Sequence, residues 1–162
     1  MQHFLGIIIS HKMFRGTMDK EETKLIIQNL QKHSKQLSVL FVDDEQIVRD
    51  SIYEMLQIFF KETKVCSSAE EVFDIYKKRV YDILILDISM PGIDGLELCR
   101  RIKEDFPKQA VIVLTAHSEK EFIDEAHEAH ADAYITKPLN FFKDSNLIEE
   151  VCKKVVETKQ LS

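Results

Sequence analysis

The sequence predicts an α/β fold: a doubly wound, five-stranded parallel sheet of strand order 2-1-3-4-5, preceded by an extra N-terminal helix. Three observations predict it. Val39-Leu40-Phe41-Val42, Ile83-Leu84-Ile85-Leu86, Val111-Ile112-Val113-Leu114 and Ala133-Tyr134-Ile135-Thr136 are short continuous apolar runs, the pattern of strands buried on both faces beneath helices. From Leu37 onward, strands alternate five times with helix-length segments, which implies right-handed crossovers between parallel neighbours. Each of the four runs also ends abruptly, in Asp43-Asp44-Glu45, Asp87, Thr115 and Lys137-Pro138 respectively. In open parallel sheets the ligand crevice lies outside the carboxyl ends of the strands. Three carboxylates, one hydroxyl and one ammonium are thereby expected around one crevice.

Residues 1–36 read as an N-terminal extension. Positions 1–17 have no clear period, and Gly16-Thr17 separates them from the helix-prone segment beyond, so that Met18 is an alternative start of the polypeptide. Phe4-Leu5-Gly6-Ile7-Ile8-Ile9 is far shorter than the roughly 18–20 residues of a membrane span, and no basic residue precedes it as in a signal peptide. A polar helix is expected at 19–35, with Leu25, Ile26, Ile27 and Leu30 as its apolar face. Two uses of that face stay open: coiled-coil-like pairing in a homodimer, or folding back on the domain.

The domain proper spans 37–158, with 159–162 as a tail. Its first strand, about 37–42, feeds a helix from Glu45 to Phe60 that carries Ile47, Val48, Ile52, Met55, Leu56 and Phe59 at helical spacing. A short second strand covers 63–67. Ser68-Ala69-Glu70-Glu71 is a capping box opening a helix to about Arg79. The third strand is 82–87, followed by a tight loop, Met90-Pro91-Gly92-Ile93-Asp94-Gly95. A helix then runs from Gly95 to about Asp105, stopped by Pro107. The fourth strand is 110–115, and Ser118-Glu119-Lys120-Glu121 is a second capping box for a helix to about His130. The fifth strand is 132–136, and the last helix is about 145–158. In the flavodoxin-like order the switch point falls between the first and third strands, where Asp43, Asp44 and Asp87 emerge.

Composition removes several classes of function. The apolar content is 44% and the charged content 31%, as in ordinary globular proteins. A net charge of -6 argues against direct nucleic-acid binding, which requires a basic surface. Cys66, Cys99 and Cys152 are odd in number, widely spaced and without metal-ligand spacing. They read as small buried hydrophobes, reduced in a cytoplasmic protein. No membrane partner is expected.

The crevice chemistry comes from its groups. Three adjacent carboxylates repel one another, and a divalent cation relieves that repulsion. An all-oxygen, carboxylate-rich site suits Mg²⁺, which takes one or two carboxylates, waters and a phosphate oxygen. A carboxylate is also a nucleophile toward phosphorus, giving an aspartyl phosphate. Phosphoryl transfer then needs positioning and charge stabilisation above all, for which Lys137 supplies a point charge and Thr115 a hydroxyl donor. Asp87 stands alone at its strand end and is the best nucleophile candidate; the pair Asp43-Asp44 is better placed to hold the ion.

These motifs resemble those of response-regulator receiver domains, the phosphoacceptor half of bacterial two-component signalling. The resemblance covers about residues 37–158. It is carried by Val39-Leu40-Phe41-Val42-Asp43-Asp44-Glu45, by Asp87-Ile88-Ser89-Met90-Pro91-Gly92-Ile93-Asp94-Gly95, by Leu114-Thr115-Ala116 and by Tyr134-Ile135-Thr136-Lys137-Pro138. It implies that Asp87 accepts a phosphoryl group from a sensor histidine kinase or histidine phosphotransfer protein. It further implies that Mg²⁺ is held by Asp43, Asp44, Asp87 and the backbone carbonyl of Ser89, that Thr115 and Lys137 contact the phosphoryl oxygens, and that the Lys137-Pro138 bond is cis. Thr115 and Tyr134 would form a switch: Thr115 moves toward the phosphoryl group, Tyr134 turns inward behind it, and the face made by the domain's fourth helix, fifth strand and fifth helix repacks to meet an effector protein.

That resemblance implies no enzyme activity beyond Mg²⁺-dependent self-phosphorylation and self-dephosphorylation. With no DNA-binding or catalytic domain after Ser162, the expected output is protein–protein interaction. The alternatives are the receiver portion of a longer chain, with an output domain such as a diguanylate cyclase or hybrid kinase, and a phosphate sink. An aspartate-nucleophile phosphatase fits poorly, since such enzymes carry a second Asp where this chain has Ser89. His117 is expected to border the phosphate, and His33 to lie on a solvated face, its helix being too short for a phosphotransfer bundle. His127 and His130, three residues apart on one helix, are a weak metal candidate. The segment Leu139-Asn140-Phe141-Phe142-Lys143-Asp144-Ser145-Asn146 is longer than the family pattern, and its Phe pair is expected to pack under the last helix in preference to forming a docking surface.

Overall fold

The computed structural model describes residues 19–116 and 120–161. The apolar stretch 4–9, the alternative start at Met18, His117 and the Ser118-Glu119 half of the second capping box lie outside them. The elements in chain order are α1 (Lys20–Ser34), β1 (Ser38–Val42), α2 (Gln46–Phe59), β2 (Glu62–Cys66), α3 (Ala69–Tyr76), β3 (Ile83–Asp87), α4 (Gly95–Asp105), β4 (Ala110–Thr115), α5 (Lys120–Glu128), β5 (Ala133–Thr136) and α6 (Ser145–Gln160). All strand pairs are parallel, in the order β2-β1-β3-β4-β5. This is the expected topology, and α5 and α6 are the domain's fourth and fifth helices.

Alternation along the central strands builds two cores. Val39, Phe41, Ile83, Ile85, Ile112 and Leu114 point to one face, under α1, α2 and α6. Leu40, Val42, Leu84, Leu86, Val111 and Val113 point to the other, under α3, α4 and α5. β1, β3 and β4 are buried along their whole length. β5 departs from the expectation for its apolar run. It is an edge strand, and only Ile135 of its four residues is buried. β2 is the other edge and begins one residue earlier than expected, at Glu62.

Caps account for several helix starts. Asp19 accepts the Glu22 N–H at 2.8 Å, Ser68 that of Glu71 at 3.3 Å, and Asp94 that of Glu97 at 2.8 Å, each satisfying one donor left over at a helix N-terminus. α3 ends at Tyr76 rather than near Arg79. Tyr76 is its last buried residue, and the amides of Lys78 and Arg79 both turn back to the Ile75 carbonyl.

Of the two uses open to the N-terminal helix, α1 takes the intramolecular one and packs chiefly along α6. Ile27 and Leu30 enter the first core. Ser34 Oγ lies 2.6 Å from the Phe59 carbonyl, and Gln31 Nε2 donates to that of Ile58 at 2.9 Å, tying α1 to the end of α2. His33 is half-buried rather than solvated, and its Nδ1 is enclosed without a hydrogen-bond partner among the described residues. Phe141 is buried and stacked on Phe59, with centroids 4.9 Å apart, and Phe142 packs on the same core. The long loop before α6 is ordered by Asn140, whose Oδ1 accepts the amides of Phe142 and Lys143 at 3.0 and 3.1 Å. Among the described residues no helix is long and apolar enough to cross a membrane.

Replacing Phe141 by Ala removes a stacked ring from a filled core, and denaturant unfolding should show a loss of about 3–5 kcal/mol. The three cysteines are buried and free, and burial pushes Cys66 and Cys152 up to about 12 and Cys99 up to about 11. Thiolate is the reactive form, so all three should resist alkylation at pH 8 in the native protein and react once it is unfolded, as counted by mass spectrometry.

Candidate functional site

The crevice is built at the carboxyl ends of β1, β3, β4 and β5. Asp43 follows β1 directly and is fully buried; Asp87 closes β3 and is 2% exposed; Asp44, one residue further along its loop, is exposed. One oxygen from each of the three carboxylates lies within 4.8 Å of the others. Among the described residues this is the group of ligand-type side chains able to hold a metal ion, and His127 and His130 belong to no such group. Its donor set is all oxygen and carries three negative charges at full ionisation, which fits Mg²⁺.

The two buried carboxylates are held in matching ways. Asp43 Oδ1 accepts the amide of Glu45 at 2.9 Å, and Asp87 Oδ1 that of Ser89 at 3.0 Å, each two residues downstream. The other oxygen of each takes a bond from one ammonium: Lys137 Nζ lies 3.0 Å from Asp43 Oδ2 and 2.7 Å from Asp87 Oδ2. Lys137 is aimed by its backbone, whose N–H donates to the Thr115 carbonyl at 2.7 Å, and its bond to Pro138 is cis. Burial works to lower the Lys137 pKa, but hydrogen bonds to Asp87 and Asp43 and their charges outweigh it and leave the pKa raised.

Gly95 sets the β3 side of the crevice. Its N–H donates to the Ile88 carbonyl at 3.1 Å, and a Cβ there would collide with the Asp87 carbonyl oxygen and the Ile88 Cα. Only glycine lets the N-terminus of α4 come this close to the strand that carries Asp87. Gly92, at φ +80°, turns the intervening loop.

Thr115 is buried at the end of β4, beside Thr136 of β5. Tyr134, on the edge strand, is turned outward with 36% of its surface exposed, its ring edge-on to His127 of α5 at 6.2 Å. The structure thus brings together Asp43, Asp44, Asp87 and Lys137, sets Thr115 at the adjoining strand end, and leaves Tyr134 on the outer face. Ser89 is exposed next to the site. Sequence reasoning overlooked Arg49, whose Nη1 donates to the Asp43 carbonyl at 2.7 Å. Its position six residues after Asp43, one turn into α2, was the available signal.

The fold is thus an open parallel sheet with a carboxylate pocket at its switch point and one lysine across it. The model of the response regulator receiver domain matches residues 39–151, and the chain belongs to that family, a component of two-component signalling. It is 36% identical over 118 residues to the transcriptional regulatory protein CreB of Escherichia coli K12, covering 73% of this chain and 48% of that protein. It is 35% identical over 100 residues to the chemotaxis protein CheY of Halobacterium salinarum, covering 62% of this chain and 83% of that protein. Among solved structures, a CheY-like receiver domain protein of Methanospirillum hungatei superposes with a TM-score of 0.67 at 27% identity, over 78% of this chain and 99% of that one. The beryllofluoride-activated DrrB receiver domain gives 0.60 at 29% identity, over 75% of this chain and 98% of that one. The chain spans between a quarter and a half of the length of CreB and of the NtrC regulators it matches.

Lys137→Met strands two buried carboxylates without their shared counter-ion. Removing one partner of a buried pair costs about 3–5 kcal/mol, and the partial exposure of Lys137 brings the expected loss toward about 2–3 kcal/mol. Thermal unfolding with and without Mg²⁺ should show the ion stabilising this variant more than the native protein. Because the Lys137 pKa is raised on folding, its stabilisation is complete below the ordinary lysine value of about 10.4 and fades as pH rises through the folded value. Alkaline titration of the metal-free protein should therefore narrow the gap between native and Lys137→Met.

Proposed function

We propose that this protein is a phosphorylation-activated response regulator whose phosphoacceptor is Asp87. The observation that carries the reading is the bridge from Lys137 to both Asp87 and Asp43: one cation already sits where a phosphoryl group's charge would arrive. The donor is a sensor histidine kinase or a histidine phosphotransfer protein. An Asp87 carboxylate oxygen forms the new bond to phosphorus as the phosphorus–nitrogen bond of the donor breaks; the electron pair leaves with the imidazole, which takes up a proton. Mg²⁺, which Asp43, Asp44, Asp87 and the Ser89 carbonyl would hold, would neutralise the charge that the transfer gathers at the site. Lys137 moves with its Asp87 partner onto those oxygens, and the Thr115 hydroxyl donates to another.

The added charge, about 1.5–2 units, is read by two residues. Thr115 shifts toward the phosphoryl group, and Tyr134 turns from its outward position into the space behind it. The face of α5, β5 and α6 then repacks and binds an effector protein. In this reading the protein catalyses only phosphoryl transfer onto and off its own Asp87, and works in the cytoplasm. The span of the chain relative to CreB and NtrC favours one second reading, a receiver serving an output domain on a longer polypeptide; the intact mass of the native protein decides between them.

Incubated with Mg²⁺ and a labelled small phosphodonor, the native protein should take up base- and hydroxylamine-labile label, and Asp87→Asn should take up none. Retained labelling of Asp87→Asn overturns the assignment. A beryllofluoride titration followed by NMR should shift resonances of Thr115 and Tyr134 in the native protein and leave those of Asp87→Asn unmoved.

A further inference from the structure

Every polar atom of Asp43 has a partner. Its N–H donates to the Cys66 carbonyl at 3.3 Å, its Oδ1 accepts from Glu45 and its Oδ2 from Lys137, and its carbonyl accepts from Arg49. The last of these is unlike the others. The carbonyl lies just beyond the end of β1, in a residue with no exposed surface, where an unpaired acceptor is costly. A half-buried guanidinium from the first turn of α2 fills that place at 2.7 Å. Its own backbone N–H is committed to Glu45, at 3.0 Å from the carbonyl, so Arg49 spans the whole acidic turn.

A peptide carbonyl and the following N–H share one rigid plane. Holding the Asp43 carbonyl therefore fixes the plane from which Asp44 departs. Asp44 needs this, because its exposed carboxylate makes no hydrogen bond among the described residues. Resting on the phosphoacceptor reading above, we propose that Arg49 is a positioning residue for the divalent-cation site, orienting the Asp43–Asp44 peptide so that both carboxylates face Asp87 without Arg49 touching the ion.

Charge and geometry make opposite forecasts here. A cation near the site repels a divalent ion, so if Arg49 acted through charge alone its removal would tighten Mg²⁺ binding. If it acts by positioning, removal weakens binding, on the scale of about 10–100-fold typical of groups that orient metal ligands. The test is calorimetric Mg²⁺ titration of native, Arg49→Met and Arg49→Lys proteins, with amide hydrogen exchange of Glu45 measured in the metal-free state. Arg49→Met should bind Mg²⁺ about tenfold more weakly and exchange the Glu45 amide faster, and Arg49→Lys, which keeps a donor but loses the planar fork, should fall between it and native. If Arg49→Met does not fold, a native Mg²⁺ affinity in Arg49→Lys overturns the proposal. A folded Arg49→Met with native or tighter affinity overturns it while leaving the metal site standing. A native protein that takes up no Mg²⁺ overturns both.

Discussion

Burying two carboxylates side by side is the constraint around which this domain is arranged. Asp43 and Asp87 leave adjacent central strands at the same level, and both are buried. Isolated buried charges cost several kcal/mol each, so a cation must reach both. It comes from the far edge of the sheet: Lys137 succeeds β5, with its backbone fastened to the end of β4. The requirement propagates outward. β4 and β5 must be in register at Thr115 and Thr136, α4 must approach β3 closely enough to demand Gly95, and the Asp43 turn must be held from beneath by Arg49.

The fold was legible because its central strands carry both cores. Alternate residues of β1, β3 and β4 serve opposite faces, and apart from Ser38 and the terminal Asp87 and Thr115 each residue is apolar, so the runs read as buried strands without ambiguity. Ala133–Thr136 read the same way but is an edge. Tyr134 and Thr136 are compatible with burial by composition, and nothing local distinguishes an edge strand that exposes a tyrosine from an inner one. The end of α3 was misplaced for a related reason: Lys77, Lys78 and Arg79 are good helix formers, and only the loss of a buried face after Tyr76 stops the helix.

The site was legible where its groups sit at strand ends, because strand ends converge by topology alone. Strand order was enough to assemble Asp43, Asp44, Asp87 and Lys137. Arg49 was not visible that way. It acts on a backbone carbonyl, and a carbonyl's need for a donor is not written in the residue that owns it. The dual tether of Asp43 and Asp87 to amides two residues downstream was hidden for the same reason.

The fate of α1 has a consequence for how motion can travel through the domain. α6 is one wall of the face that includes Tyr134, and α1 lies along it while being fastened by Ser34 and Gln31 to the end of α2. α2 in turn bears on the strands that hold the acidic turn. The helix is thus a brace between the end of α2 and the α6 side of the face that includes Tyr134. With α6 so anchored, the rearrangement proposed above would fall on the opposite side, toward α5 and the outward ring of Tyr134. Under that proposal the extension would make the face respond asymmetrically, as a door hung on one fixed post.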